Sequence, residues 1–251
     1  MSIIYYNGQY RTDESFISYK DSGYTTGIGI FDSMLVQNGQ AIYCEDHYKR
    51  IAFDTKTVID LPLDLSFERF EDIIRTLIQD NDLKEGYVRI RTTVTGGIVA
   101  RPLEQAKELN ILIQATSIPE PQNNKPVKCA IITDFPRIAG CILENCKRLD
   151  YSRSYAARRA AEELGAEDAI MVNTEGNVAC GTTSNVFIQE GENYITPPLS
   201  EGVLAGVTRK NLLKEENYSE SAITIDRLKK ADEIYLTNSF TGMRKVELVN
   251  L

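Results

Sequence analysis

Apolar and polar positions alternate over short runs from the start of the chain. Residues 3–6 and 9–11 flank Asn7-Gly8, the pair that a two-residue hairpin turn favours. Residues 33–36 and 41–43 flank Asn38-Gly39 in the same way. The period then lengthens. Residues 46–58 predict one helix and 67–79 a second, with Phe70, Ile73, Ile74 and Leu77 at helical spacing. Residues 87–94 are rich in β-branched side chains and predict a strand ending at Gly96-Gly97, with 109–115 as a partner.

Three prolines and two asparagines crowd residues 118–126, which can continue neither a helix nor a central strand. This stretch predicts a linker over 119–126 between a small domain, 1–118, and a larger one, 127–251. In the second half, 151–164 predicts a helix closed by Gly165. Residues 169–173 and 178–179 flank a turn at 174–177, and 184–188 and 234–237 read as further strands. Residues 207–213 and 225–231 read as helices. The mixture of hairpins and helices predicts an α+β fold with largely antiparallel sheets.

Composition narrows the function classes. The 251 residues carry 28 Lys+Arg and 36 Asp+Glu, a net charge of −8. That balance disfavours a general nucleic-acid binder. No apolar run approaches the ~20 residues of a membrane helix, and the first residues lack the pattern of a signal peptide, so a cytoplasmic protein is expected. Five scattered cysteines and one histidine suit neither a disulfide framework nor a zinc site.

Several residues could carry chemistry. His47 and Arg50 share a helical face, and Arg50 could grip a phosphate or form an ion pair. Lys147 precedes a helix rich in small residues. Its amine could form an imine with an aldehyde, or be a solvated charge. Tyr151 would share its face if the backbone were helical there. Gly206-Val207-Thr208-Arg209 opens a helix, where main-chain N–H groups favour an anion. The loops 181–185 and 237–242 add hydroxyls and amides. Together with Arg50 they make the set a phosphate cradle requires.

In order and spacing, these pieces resemble the class IV aminotransferases, the fold type IV pyridoxal 5'-phosphate (PLP) enzymes. That group includes branched-chain and D-amino-acid aminotransferases and aminodeoxychorismate lyase. The resemblance runs from Tyr6-Asn7-Gly8 and Gly27-x-Gly29-x-Phe31 through His47-x-x-Arg50, Arg89-x-Arg91 and Lys147-x-Leu149-x-Tyr151. It continues through Gly176-Asn177-Val178, Ser184-Asn185-Val186-Phe187 and Leu204-x-Gly206-Val207-Thr208-Arg209 to Thr237-Asn238-Ser239. It implies a small α+β domain and a larger pseudo-barrel domain with PLP between them, in a homodimer. It also implies that Lys147 holds PLP as a Schiff base and shuttles the proton at the substrate Cα. Arg50 would bind the phosphate with Val207, Thr208, Ser239 and Phe240. Tyr151 would bond the phenolic oxygen, and Leu204 would pack on the ring.

One position departs from the pattern. Where the family places a glutamate against the pyridine nitrogen, this chain has Cys180. A carboxylate keeps that nitrogen protonated and PLP a strong electron sink. The thiol would either ionise beside the cationic ring or leave the ring less protonated. The expected function is an aminotransferase acting on a small amino acid. Lyase-type elimination and a catalytically weak PLP-binding protein are the alternatives. Arg89, Arg91 and Arg153 are the candidates for the substrate carboxylate.

Overall fold

The computed structural model describes residues 2–12, 17–101 and 103–249. The chain forms two compact units, Met1–Pro121 with Cys146–Asp150, and Gln122–Asn145 with Tyr151–Leu251. A single linear boundary in the proline-rich stretch does not describe the return of Cys146–Asp150 to the first unit.

The first unit contains β1 (Ile3–Tyr6), β2 (Gln9–Thr12), α1 (Ser22–Thr26), β3 (Gly29–Gln37), β4 (Gln40–Ala41), α2 (Cys44–Ile59), α3 (Phe67–Asp80), β5 (Tyr87–Thr95) and β6 (Asn110–Ile118). Its strands form one antiparallel sheet in the order β2-β1-β6-β5-β3-β4. Both Asn-Gly turns take the left-handed backbone that this pair tolerates. Ser66 caps α3 by accepting from Arg69 N. The predicted stripe Phe70, Ile73, Ile74 and Leu77 is buried against Ile30, Met34 and Val36 of β3 and Val88, Ile90 and Val94 of β5. Each such side chain contributes about 1.5–3 kcal/mol. Strand alternation sends Asp32 to this covered face and Phe31 to the other.

The strand predicted over 41–43 is shorter and begins one residue earlier, as Gln40–Ala41. β4 ends at Ala41, and Tyr43 turns left-handed (φ 53°) to start α2.

β4 pairs only with Val36 and Gln37, so the rest of that edge of β3 is open to another segment. Cys146–Asp150 supplies it. Phe31 N donates to Lys147 O and Leu149 N donates to Gly29 O, both at 2.9 Å. Arg148 bridges Ile30 in antiparallel sense. Gly29 is required for this approach. A Cβ there would lie 2.6 Å from Leu149 Cδ1 and 2.8 Å from Val94 O.

The second unit contains β7 (Val127–Arg137), α4 (Ser152–Glu163), β8 (Asp168–Asn173), β9 (Val178–Gly181), β10 (Asn185–Glu190), β11 (Asn193–Thr196), α5 (Val207–Leu212), β12 (Tyr218–Glu220), α6 (Ile225–Lys230), β13 (Glu233–Asn238) and β14 (Gly242–Leu248). The sheet order is β12-β11-β10-β13-β14-β7-β8-β9, and pairing of Asn185 with Cys180 joins β10 to β9 and closes a pseudo-barrel. The sheet is largely antiparallel, as expected, but with parallel pairings as well: β7 runs parallel to both β8 and β14, and β11 to β12. The β7–α4–β8 crossover explains the first case, because α4 carries the chain back over the sheet before β8 begins. Val127, Ile170, Val178, Val186, Ile188 and Leu236 fill the barrel core. The small residues Ala157 and Ala161 of α4 pack on Ala130 and Met171.

The helix expected from 151 begins at Ser152, with Tyr151 as its N-cap in a non-helical conformation. Because Cys146–Leu149 docks along β3 instead of entering that helix, Lys147 and Tyr151 do not share a helical face.

Candidate active site

In the first unit, chemistry gathers around β3 and α2. His47, Arg50 and Asp54 recur at helical spacing and are buried on the inner face of α2. Asp32 projects toward them from β3. Its Oδ2 lies 2.8 Å from Arg50 Nε and 2.6 Å from Arg50 Nη2, and its Oδ1 lies 2.6 Å from His47 Nδ1. Burial alone would raise the Asp32 carboxyl, but the Arg50 guanidinium and the His47 ring overcome it and hold the acid well below the usual carboxylate range. Arg50 is therefore a buried ion-pair partner, anchored along one edge of its guanidinium.

Asp54 lies one turn beyond Arg50 and is 1% exposed. Its Oδ2 accepts the main-chain N–H of Lys147 at 2.9 Å. The Cys146 thiol adjoins the same carboxylate. Burial pushes the Asp54 acid up to about 6, against the pull of the Lys147 N–H and Arg50. Burial and Asp54 push the Cys146 thiol up to about 12.

On the opposite face of β3, the Phe31 ring gathers two cations. Lys147 Nζ lies 4.4 Å and Arg91 Cζ 4.1 Å from its centroid. The sum of those distances bounds the separation of Arg91 from the lysine amine. Arg91 pairs across the sheet with Ser33, whereas Arg89 lies opposite Leu35, a further pair along the strand, and is exposed.

The second unit holds the remaining predicted residues. Cys180 is buried on β9, between Met171 of β8 and Asn185 of β10. Burial raises its thiol, outweighing Arg137, and Glu144 and Asp168 add to the rise. Glu144, 1% exposed, sits between two arginines. Arg137 Nη2 lies 2.7 Å from Oε2, and Arg153 Nη1 donates to Oε1. Arg153 is thereby committed to an ion pair.

Asn185 Nδ2 donates to Leu204 O at 2.9 Å and supports the turn into α5. Gly206 caps α5 with no side-chain hydrogen bond, and a Cβ on it would lie 2.0 Å from Asn185 Oδ1. The main chain before Val207 and Thr208 is thus drawn tightly onto Asn185. Ser239 and Phe240 occupy the turn between β13 and β14. Asn238 Oδ1 organises that turn by accepting from the N–H groups of Phe240 and Thr241, each at 2.9 Å. Thr182 donates its hydroxyl to Asp168 at 2.5 Å.

Sequence reasoning did not single out Asp54 or Glu144. The 47, 50, 54 spacing was the available signal for the first; nothing in the spacing marked the second.

The profile of the amino-transferase class IV family matches residues 29–249. The chain belongs to the class IV aminotransferases. It is 27% identical to a D-alanine aminotransferase of Bacillus licheniformis over 249 residues, 95% of this chain and 85% of that protein. It is likewise 27% identical to an aminodeoxychorismate lyase of Bacillus subtilis over 269 aligned positions, 99% of this chain and 88% of the relative. The crystal structure of a branched-chain aminotransferase from Thermoproteus uzoniensis with norvaline shares its fold. The TM-score is 0.87 at 22% identity, over 98% of this chain and 87% of that one. Class IV aminotransferases are PLP-dependent enzymes of fold type IV, and the closed sheet of the second unit is the pseudo-barrel of that fold. Among the described residues no helix is long and apolar enough to cross a membrane.

Proposed function

We propose that this class IV enzyme is an aminotransferase that moves the α-amino group of a small amino acid to a 2-oxo acid, with Lys147 as its covalent anchor for PLP. The observation that carries this reading is the placement of Lys147. Its main chain is fixed on both sides, by Asp54 and by Phe31 N, while its amine lies over the Phe31 ring near Arg91.

The donor set fits PLP. Within the first unit, Lys147 offers an amine for the aldehyde and Arg50 a guanidinium for the phosphate. Lys147 would hold the coenzyme and move the proton at the substrate Cα. Arg50, held by Asp32, would bind the phosphate. Val207, Thr208, Ser239 and Phe240 would complete that site. Tyr151 would bond the phenolic oxygen and Leu204 would cover the ring. When bound, PLP supplies the electron sink for the substrate carbanion.

Cys180 would face the pyridine nitrogen as a neutral thiol, because burial outweighs Arg137 in setting its proton affinity. Of the two outcomes expected for this position, the less protonated ring is favoured. Carbanion-stabilising steps are then slower than a carboxylate would allow.

Arg91 is our choice for the substrate carboxylate. It shares the Phe31 ring with Lys147, while Arg153 is held by Glu144 and Arg89 lies further along β5. The cytoplasm is the expected location and a homodimer the expected assembly. Exposed Tyr19, Tyr24, Ile98 and Leu103 on the first unit provide the apolar surface a second copy would cover.

The second reading is an aminodeoxychorismate-type elimination, favoured by the lyase relative that aligns over 99% of this chain. Single-turnover mixing of PLP-loaded protein separates the two. Transamination predicts that one amino acid yields its 2-oxo acid and leaves the coenzyme aminated. The lyase predicts pyruvate from aminodeoxychorismate. A protein that binds PLP and does neither is the catalytically weak alternative.

A further inference from the structure

Most of the buried polar groups near β3 are accounted for by ion pairing, but Asp54 is not. It lies on the buried face of α2, one turn from Arg50, where burial disfavours its charge. Its Oδ1 is buried and has no hydrogen-bond partner. The other oxygen bonds the N–H of Lys147. The segment carrying Lys147 makes two main-chain hydrogen bonds to β3, at Phe31 and Gly29, on the edge that β4 covers only at Val36 and Gln37. A short strand fragment at a sheet edge slips easily. The Asp54 contact is a further tie, from α2. It acts on the main chain of the residue whose amine must be placed.

We propose that Asp54 is a positioning residue for Lys147: by holding the Lys147 N–H from α2, it fixes the register of the 146–149 segment on β3 and thereby the place of the amine over Phe31. This rests on the assignment of Lys147 as the PLP anchor. Asp54 itself touches neither coenzyme nor substrate in this account. The arrangement also ties the lysine to the helix that carries Arg50, so amine and guanidinium are referenced to one rigid element within the same unit. A hydrogen bond to a carboxylate is worth more than one to a neutral acceptor, which suits a tie that must outweigh slippage.

The test compares full-length wild type with Asp54→Ala and Asp54→Asn. Hydrogen exchange of the peptide spanning Lys147 reads the tie without PLP. Asp54→Ala should exchange there about tenfold faster or more, with α3 and β5 peptides unchanged, and Asp54→Asn should restore protection because its amide oxygen still accepts. Absorbance titration with PLP, followed by borohydride trapping, reads the consequence. Asp54→Ala should bind PLP about tenfold more weakly and be trapped more slowly, and Asp54→Asn should return to within about threefold of wild type. Unchanged exchange at Lys147, or PLP binding by Asp54→Ala equal to wild type, overturns the proposal while leaving Lys147 as anchor. If wild type captures no PLP at all, the anchor assignment fails, whatever the exchange data show.

Discussion

Asp32 and Arg50 form an ion pair shut away from water. One carboxylate oxygen takes both Nε and Nη2 of the guanidinium, at 2.8 and 2.6 Å, on side chains only 4% and 8% exposed. The pair links β3 to α2 and fixes the cation proposed to hold the coenzyme phosphate. Breaking such a pair leaves a buried charge uncompensated, which costs far more than the intact pair contributes. Asp32→Ala should lower stability by about 3–5 kcal/mol at neutral pH, measured by urea unfolding. The Asp32 acid is held below its unfolded value, so the unfolded chain takes up the proton more readily. The pair's contribution is complete above about pH 5 and is lost as the pH falls through and below about 4. The gap between wild type and variant should narrow over that range.

Asp54 has the opposite sign. Its acid is raised to about 6, so the folded state holds the proton more tightly than the unfolded chain. Ionising it costs stability, and the cost grows as the pH rises through the window from about 4 to 6. Asp54→Asn should therefore gain on wild type over that window, by up to about 3 kcal/mol, and hold the gain at higher pH. Unfolding curves at pH 4.5 and 7.5 check this. A difference independent of pH would show that Asp54 does not titrate in the fold.

Cys180 offers a gain-of-function test. Its buried thiol is raised and neutral, so it cannot keep a pyridine nitrogen charged. Cys180→Glu should speed the half-reaction with an amino acid by about tenfold or more, whereas Cys180→Ser should leave it near wild type. Stopped-flow absorbance reads both. Equal or lower rates in Cys180→Glu, with PLP still bound, would count against the weak-sink account.

Arg91 and Arg89 can be told apart kinetically. Arg91→Ala should raise KM for the amino acid about tenfold or more and leave PLP absorbance unchanged. Arg89→Ala should alter neither. The reverse pattern would move carboxylate recognition one pair along β5.

Local signals made much of the first unit legible. The Asn7-Gly8 and Asn38-Gly39 turns are where the hairpins reverse, and the apolar stripe of α3 is buried as its spacing implied. Those features depend on residues near one another in the chain. β14 was missed because Gly242–Leu248 carries Arg244, Lys245 and Glu247 and is only half covered, so it lacks an apolar alternation. The parallel pairings of β7 depend on crossovers that no local pattern encodes. Motif order is what draws attention to Lys147, Arg50 and Cys180 as the proposed site residues. It does not give the geometry of Lys147, because the lysine's docking on β3 joins residues more than a hundred positions apart. Asp54 looked like one more charge on a helix until the lysine segment folded back onto it.

The central claim is that Lys147 is the amine that captures PLP. Incubation of the full-length protein with PLP, reduction with borohydride, and peptide mass spectrometry test it directly. The account predicts a pyridoxyl group on the peptide carrying Lys147, and none on that peptide or elsewhere in Lys147→Ala. A stoichiometric adduct on a different lysine, or no adduct in protein saturated with PLP, would contradict it.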